Sequence, residues 1–283
     1  LDNVDGEYTT DDAEVLRKEL DELSDSSYES RIKKALNQLK EGGESVFNKE
    51  SLKTYSPKFL HMLENIQDPS HTGLHLVYSQ LRTLEGIGIF KLVLEYNGFV
   101  QFKIKKNGNG EIKLDIDDDN KGKPMFALYT GTETADEKEI IRNVYNSDWT
   151  NIPVSLKEEL EAISTNNYSG EIIKVMMITS SGAEGISLKN CRFVHITEPY
   201  WHPVRIDQVI GRARRICSHE NLEKDQRNIK VFLYIMVLSE ELLKSDKTLE
   251  LRIHDKSKFD DKIPVTTDEA LYEISTVKER INT

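Results

Sequence analysis

Cysteine is almost missing from this chain: Cys191 and Cys217 are the pair in 283 residues. Two thiols cannot make a disulfide framework and their spacing is not that of a metal site, so a reducing, intracellular setting is the simplest reading. Long apolar runs are absent as well. Nothing approaches the roughly 18 residues of a membrane-spanning segment, and the acidic, polar start has no signal-peptide pattern, so no membrane partner is expected. Excess positive charge is lacking too, since 38 Lys and Arg stand against 49 Asp and Glu for a net charge of −11. A protein coated in basic surface is thereby excluded; any nucleic acid must be held on a local track. Finally, the sequence contains no G-x-x-x-x-G-K-[ST]: Gly122-Lys123 is followed by Pro124 and has no glycine at the upstream position. A self-contained phosphate-cradling loop is excluded.

Other features are bland on inspection. The seven histidines have no ligand spacing, and His202 and His219 read as local structure. The acidic run Asp115 to Asp119 reads as a solvated segment rather than a metal site. Asp268-Glu269-Ala270 follows Thr266-Thr267 and reads as a capped helix start, not a magnesium-binding box at a strand end. Cys217 reads as a packing residue.

What is present is an alternation of strands and helices. Residues 1–55 are expected to be an N-terminal helical or linker segment, with weak helical spacing over 12–23 and 31–39 and a joint at Gly42-Gly43. Ser56-Pro57-Lys58 then starts a helix with Phe59, Met62, Leu63 and Ile66 inward. From Leu74 the pattern predicts strands at 74–79, 124–130, 172–178, 192–197 and 229–238. Helices are predicted at 86–97, closed by Gly98, from Thr134, whose capping box with Glu137 is visible, and near 156–163. Such alternation implies an α/β fold, a parallel sheet covered by helices on both faces. One piece breaks the rhythm. Residues 101–106 and 111–116 alternate around Asn107-Gly108-Asn109-Gly110, which predicts a β-hairpin inserted at about 99–123.

The most informative segment follows Pro203. Ile206, Val209, Ile210, Ala213 and Ile216 fall on one side of a helix, while Arg205, Gln208, Arg212 and Arg215 fall on another. A front of guanidinium forks is suited to phosphate oxygens. Upstream, the apolar run 172–178 opens into Thr179-Ser180-Ser181-Gly182-Ala183-Glu184-Gly185-Ile186-Ser187-Leu188, where small residues let a backbone approach a ligand.

These two segments resemble motifs V and VI of superfamily 2 helicases and translocases. Thr179 to Leu188 is similar to motif V, and Gln208 to Arg215 matches the pattern Q-x-x-G-R-x-x-R of motif VI. Ser187-Leu188 after Gly185, and the aromatic pair before Pro203, are closest to the Swi/Snf-like branch. Glu198-Pro199-Tyr200-Trp201-His202-Pro203-Val204 through His219, and Ala127 to Thr134, resemble helicase-like transcription ATPases of large double-stranded DNA viruses. The likeness runs over roughly residues 56–283.

The resemblance implies a RecA-like fold for 56–283 and a role as the second motor lobe of an ATP-dependent helicase or translocase. It implies that Arg212 and Arg215 act on the transferring phosphoryl group, with Gln208, Glu184 and Gly185 at the nucleotide. It points to Ser79, Thr130, Gly131, Thr179 and Ser180 as the nucleic-acid face, with Trp201 as a candidate stacking ring. The implied cofactors are ATP and Mg, the metal held mainly by an N-terminal RecA-like lobe of the same protein. The implied partners are that lobe, DNA or RNA, and a viral transcription machinery, in a virion or viral factory. Two alternatives stand beside it. One is a lobe-like adaptor without catalysis, against which Arg212 and Arg215 weigh; the other is a restriction-type or RNA-sensing translocase, against which the Swi/Snf-like spacing weighs.

Overall fold

The computed structural model describes residues 30–83, 86–180, 185–241 and 266–282. The chain divides into two compact units, Leu1–Val46 and Phe47–Thr283. In the first, residues 30–42 are helical, in keeping with the spacing of Arg31 to Leu39, whereas the helix expected over 12–23 lies outside the described residues.

The second unit opens with two consecutive helices, α1 (Lys49–Tyr55) and α2 (Pro57–Gln67). Asn48 caps the first by accepting from the Ser51 N–H, and Pro57 sits in the first turn of the second, where its missing donor costs nothing. Phe59, Leu60, Met62, Leu63 and Ile66 are buried, as their spacing requires.

The sheet is built from β1 (Leu74–Tyr78), β2 (Val100–Gln101), β5 (Met125–Tyr129), β6 (Ile173–Ile178), β7 (Cys191–Ile196) and β8 (Lys230–Leu233). Their spatial order is β2-β5-β6-β1-β7-β8 and every pairing is parallel. β1 is buried at all five positions, the pattern of a strand covered on both faces. Between the strands run α3 (Ile87–Tyr96), α4 (Ala135–Tyr145), α5 (Val154–Glu161) and α6 (Pro203–Ala213). Gly98 follows the end of α3 at φ +91°, a conformation that suits glycine, and lets the Phe99 N–H reach back to the Leu94 carbonyl. The Thr134–Glu137 capping box opens α4 with both of its reciprocal bonds in place. A last helix, α7 (Thr267–Asn282), carries Asp268-Glu269-Ala270 in its first turn, in keeping with the capped-start reading. The cap itself is Thr266, whose backbone N–H donates to Glu269 at 2.7 Å. Asp268 pairs with Lys58 and accepts from the Met236 N–H at 2.8 Å, a structural role rather than a metal-binding one.

The hairpin is smaller than its alternation predicts. β3 (Ile104–Lys106) and β4 (Ile112–Leu114) pair antiparallel, but Val100 and Gln101 belong to the main sheet as an edge strand beside β5. Period-two alternation is the same for both assignments, so it could not separate them. Nor is the hairpin loose decoration. The Leu114 N–H donates to the Glu159 carboxylate at 2.8 Å, and the Ser155 hydroxyl donates to the Ile112 carbonyl at 2.9 Å, which pins β4 to α5.

Two buried polar groups organise the core. Asn167 uses all four of its bonding positions: its amide N–H groups reach the carbonyls of Tyr145 and Ile173, and its oxygen accepts from the N–H groups of Ile172 and Ile173. It thus fixes the entry into β6. The other group joins β1, β7 and α2. His75 Nε2 meets the His71 carbonyl at 3.2 Å, His75 Nδ1 lies 2.9 Å from His195 Nε2, and His195 Nδ1 lies 2.8 Å from the Tyr234 hydroxyl. The Asn65 amide donates to that hydroxyl at 3.0 Å. One proton arrangement satisfies the whole chain, with both rings neutral and each donating toward β1's start: His75 to the carbonyl, His195 to His75, Tyr234 to His195. A proton added to His75 would set its Nδ1–H against the His195 Nε2–H, and one added to His195 would displace the Tyr234 hydroxyl proton from Nδ1.

Burial holds the His75 ring well below its ordinary pKa, and it pushes that of His195 down from 6.5 to about 3. The unfolded chain therefore binds protons that the folded chain refuses, so this contribution to stability is whole above pH 6.5 and is lost on acidification toward pH 3. The expected slope is roughly 1.4 kcal/mol per pH unit for each histidine. Urea titrations across this window check it; His195→Gln should flatten the slope by about one proton.

Candidate functional site

The strand order brings the candidate residues to one edge of the sheet. Thr130 follows β5, Thr179 follows β6 and Ser79 follows β1, and these three strands are neighbours. The carboxyl ends of parallel strands form the usual ligand crevice of such sheets. Thr179 donates its hydroxyl to the Thr130 carbonyl at 3.1 Å, and the Ser79 N–H reaches the Ile178 carbonyl at 3.2 Å, so the row is continuous.

Their hydroxyls, however, face inward. Ser79, Thr130 and Thr179 are 1%, 3% and 3% exposed. The Ser79 hydroxyl lies 3.0 and 3.1 Å from the two Glu198 oxygens, and the Gln80 N–H also donates to that carboxylate. Burial raises the pKa of Glu198 against the lowering effect of those donors. Thr130 and Gly131 donate their backbone N–H groups to Glu133 at 2.8 and 3.1 Å. Gly131, at φ +101°, is exposed, and Ser180 is half-buried. The hydroxyls of Ser79 and Thr179 are thus internal braces, while that of Thr130 is engaged by Glu133 of its own turn. Any ligand at this edge would meet Ser180 and the Gly131 backbone first.

Motif VI departs from a continuous helix. α6 begins as the sequence indicates, with Pro203 in its first turn and the His202 ring accepting from the Val204 N–H at 3.4 Å. Val209 and Ala213 are buried, and Ile206 and Ile210 pack on the core. The helix ends at Ala213, where Arg214 takes a non-helical conformation as its C-cap. The Ser218 hydroxyl donates to the Ala213 carbonyl at 3.0 Å and the Ser218 N–H to the Arg215 carbonyl at 3.1 Å, so the chain turns back instead of continuing. This corrects three expectations. Arg215 leaves the helical face, Ile216 is 97% exposed instead of inward, and Cys217 is exposed at φ +61° rather than packed. His219 is structural, its ring bonded to the Cys191 carbonyl at 2.8 Å and the Ser218 hydroxyl at 2.7 Å.

The turn nevertheless brings the two motifs into contact. The Leu188 N–H donates to the Arg212 carbonyl at 3.1 Å, and Arg215 Nη2 donates to the Ile186 carbonyl at the same distance. Asn146, at the end of α4, holds the same loop by bonding the Ser187 carbonyl at 2.9 Å and the Lys189 N–H at 2.8 Å. Arg212 is half-buried, and its Nε is a buried donor without a protein partner. Such an orphan donor on a guanidinium fits an anionic ligand. Gln208 and Gly185 are exposed, while Glu184 lies outside the described residues. Arg205 is engaged internally, 3.3 Å from the Gln80 side-chain oxygen and stacked 4.5 Å above the Tyr200 ring. Trp201 carries the Lys278 ammonium 3.8 Å from its ring centre, so one face is already covered. Among the described residues no group of three His, Cys, Asp or Glu could hold a metal ion, and no helix is long and apolar enough to cross a membrane.

Residues 111–217 match the helicase conserved C-terminal domain family. A protein of Acanthamoeba polyphaga mimivirus, provisionally named an ATP-dependent RNA helicase, is 33% identical over 186 residues, covering 66% of this chain and 27% of its own length. A protein of African swine fever virus named termination factor NPH-I homolog is 31% identical over 235 residues, covering 72% of this chain and 30% of its own. The chain thus spans under a third of these relatives. Among solved structures, the C-terminal part of the Fun30 ATPase domain overlaps 77% of this chain and 50% of its own, at 13% identity and a TM-score of 0.39.

Proposed function

We propose that this chain, whose residues 111–217 match the helicase conserved C-terminal domain family, is the second motor lobe of an ATP-dependent nucleic-acid helicase or translocase. The lobe extends over 56–283, with 1–55 as a preceding helical linker. One observation carries this reading: the loop at Gly185 to Leu188 and the end of α6 are bonded to each other through Leu188–Arg212 and Arg215–Ile186. A nucleotide edge and an arginine pair joined in this way can move as one body against a partner lobe.

In the proposed site, ATP supplies the phosphoryl group and a first lobe supplies the phosphate loop and the Mg-binding acid. Arg212 and Arg215 neutralise charge as it builds on the transferring group. Gln208 orients the terminal phosphate, and Glu184 and Gly185 line the nucleotide edge. Ser180 and the backbone at Thr130 and Gly131 contact nucleic-acid phosphates, with Ser79 and Thr179 bracing that row. With a net charge of −11, the lobe alone holds nucleic acid weakly at physiological salt. Similarity to proteins of large DNA viruses supports a role in viral transcription or genome handling.

Hydrolysis by the protein carrying both lobes, and its loss on removing Arg212 or Arg215, is the first test. A second separates the track from the nucleotide site. Thr179→Ala removes the brace on the Thr130 carbonyl and is expected to lower nucleic-acid-stimulated turnover roughly threefold to tenfold, the worth of one hydrogen bond. Basal turnover should change little. Equal losses in both rates would place Thr179 in the nucleotide site instead.

A further inference from the structure

The turn after β5 is built as an anion site, and its occupant belongs to the chain. The Glu133 carboxylate collects the backbone N–H groups of Thr130 at 2.8 Å and Gly131 at 3.1 Å. It also collects the hydroxyls of Thr132 at 3.0 Å and Thr130 at 3.2 Å. Converging N–H and O–H donors around a glycine with positive φ make the concave cradle that binds phosphate oxygens. A carboxylate there stands in for such an oxygen pair.

Glu198 provides the comparison along the same edge. It accepts from Ser79 and Gln80, and burial outweighs those donors and raises its pKa. It braces the Ser79–Gln80 turn. Glu133 is part-buried too. Burial there disfavours its charged form, yet the backbone and hydroxyl donors prevail and hold its carboxyl below the usual range, so it is ionised. An ionised side chain at the surface, on a two-residue tether from its own donors, can swing out when a stronger anion arrives.

Building on the nucleic-acid face proposed above, we propose that the cradle formed by Thr130, Gly131 and Thr132 is a phosphodiester subsite of the track, occupied by Glu133 when no nucleic acid is bound. Glu133 thereby competes with the ligand and sets the threshold for engagement. Each binding event must first break its four contacts and then place a phosphate beside a displaced carboxylate, which weakens binding at this end of the sheet.

The test compares the 283-residue chain with its Glu133→Gln, Glu133→Asp and Asp136→Asn variants, titrated with a fluorescein-labelled duplex oligonucleotide and, separately, a single-stranded one. Glu133→Gln keeps the shape and removes the charge; it should tighten binding roughly tenfold, as loss of a competing charged hydrogen-bond acceptor implies. Glu133→Asp should tighten it less, because the shortened carboxylate no longer reaches the cradle but keeps its charge. Asp136 is exposed one turn away, and Asp136→Asn measures the general effect of one negative charge fewer. In Glu133→Gln the oligonucleotide should shift the backbone amide resonances of Thr130 and Gly131 at concentrations where inorganic phosphate does not. Equal tightening by Glu133→Gln and Asp136→Asn would overturn the proposal, as would an equal response of those amides to inorganic phosphate. Unchanged or weaker binding by both Glu133 variants, with measurable wild-type affinity, overturns the gate but leaves the motor-lobe reading standing. No binding by any variant, alone or joined to a first lobe, overturns both.

Discussion

Arg212→Ala and Arg215→Ala should each lower ATP hydrolysis by the protein carrying both lobes about 10³- to 10⁵-fold, the range associated with an arginine that stabilises phosphoryl-transfer charge. The two reach this effect from different positions. Arg212 lies in the last turn of α6 with a buried Nε that has no protein partner, a donor suited to an anion. Arg215 lies beyond the helix end and donates to the Ile186 carbonyl, so in the proposed site it would couple the loop at Gly185 to Leu188 to the phosphoryl group. The loss should fall on kcat with KM little changed, because in the proposed site both side chains act on charge that develops only during transfer. Neither substitution removes a core contact, so thermal unfolding should stay close to wild type. Arg214→Ala is the control: its side chain is exposed and its backbone alone caps α6. Turnover within about twofold of wild type is expected there, as for other surface changes. An effect of Arg214→Ala equal to that of Arg215→Ala would remove the distinction between the two neighbours.

Much of this arrangement is legible in the sequence wherever one local rule decides. Thr134 and Glu137 announce the start of α4, Pro203 that of α6, and the apolar run ending at Ile178 a strand buried on both faces. The pairing of motif V with motif VI follows from their pattern, although their contact through Leu188 and Arg212 does not. The end of α6 could not be read, because Arg214-Arg215-Ile216 continues the helical spacing without glycine or proline. The stop is made by Ser218, which captures the Ala213 carbonyl from five residues away. The hidden hydroxyls of Ser79 and Thr130 were equally illegible. Whether a strand-end hydroxyl faces solvent depends on which carboxylate folds over it, and Glu198 reaches Ser79 from 119 residues on. His75 and His195 are 120 residues apart, so their shared proton chain exists only once β1 and β7 pair.

The second large effect concerns the chain by itself. Without a phosphate-cradling loop, and with no cluster of acids among the described residues to hold a metal, the 283-residue chain has only the arginine side of the proposed site. Arginines stabilise charge on a phosphoryl group that something else must bind and orient, and positioning is a large share of the barrier reduction. The chain should therefore bind ATP weakly and turn none over, with or without DNA, while the protein carrying both lobes hydrolyses it. The direct measurement is steady-state phosphate release by the purified chain at saturating ATP and Mg, beside its Arg215→Ala variant. Release indistinguishable from the variant and from buffer is the expected result. Sustained hydrolysis by the chain alone, abolished by Arg215→Ala, would contradict the assignment of this lobe to half of a shared site.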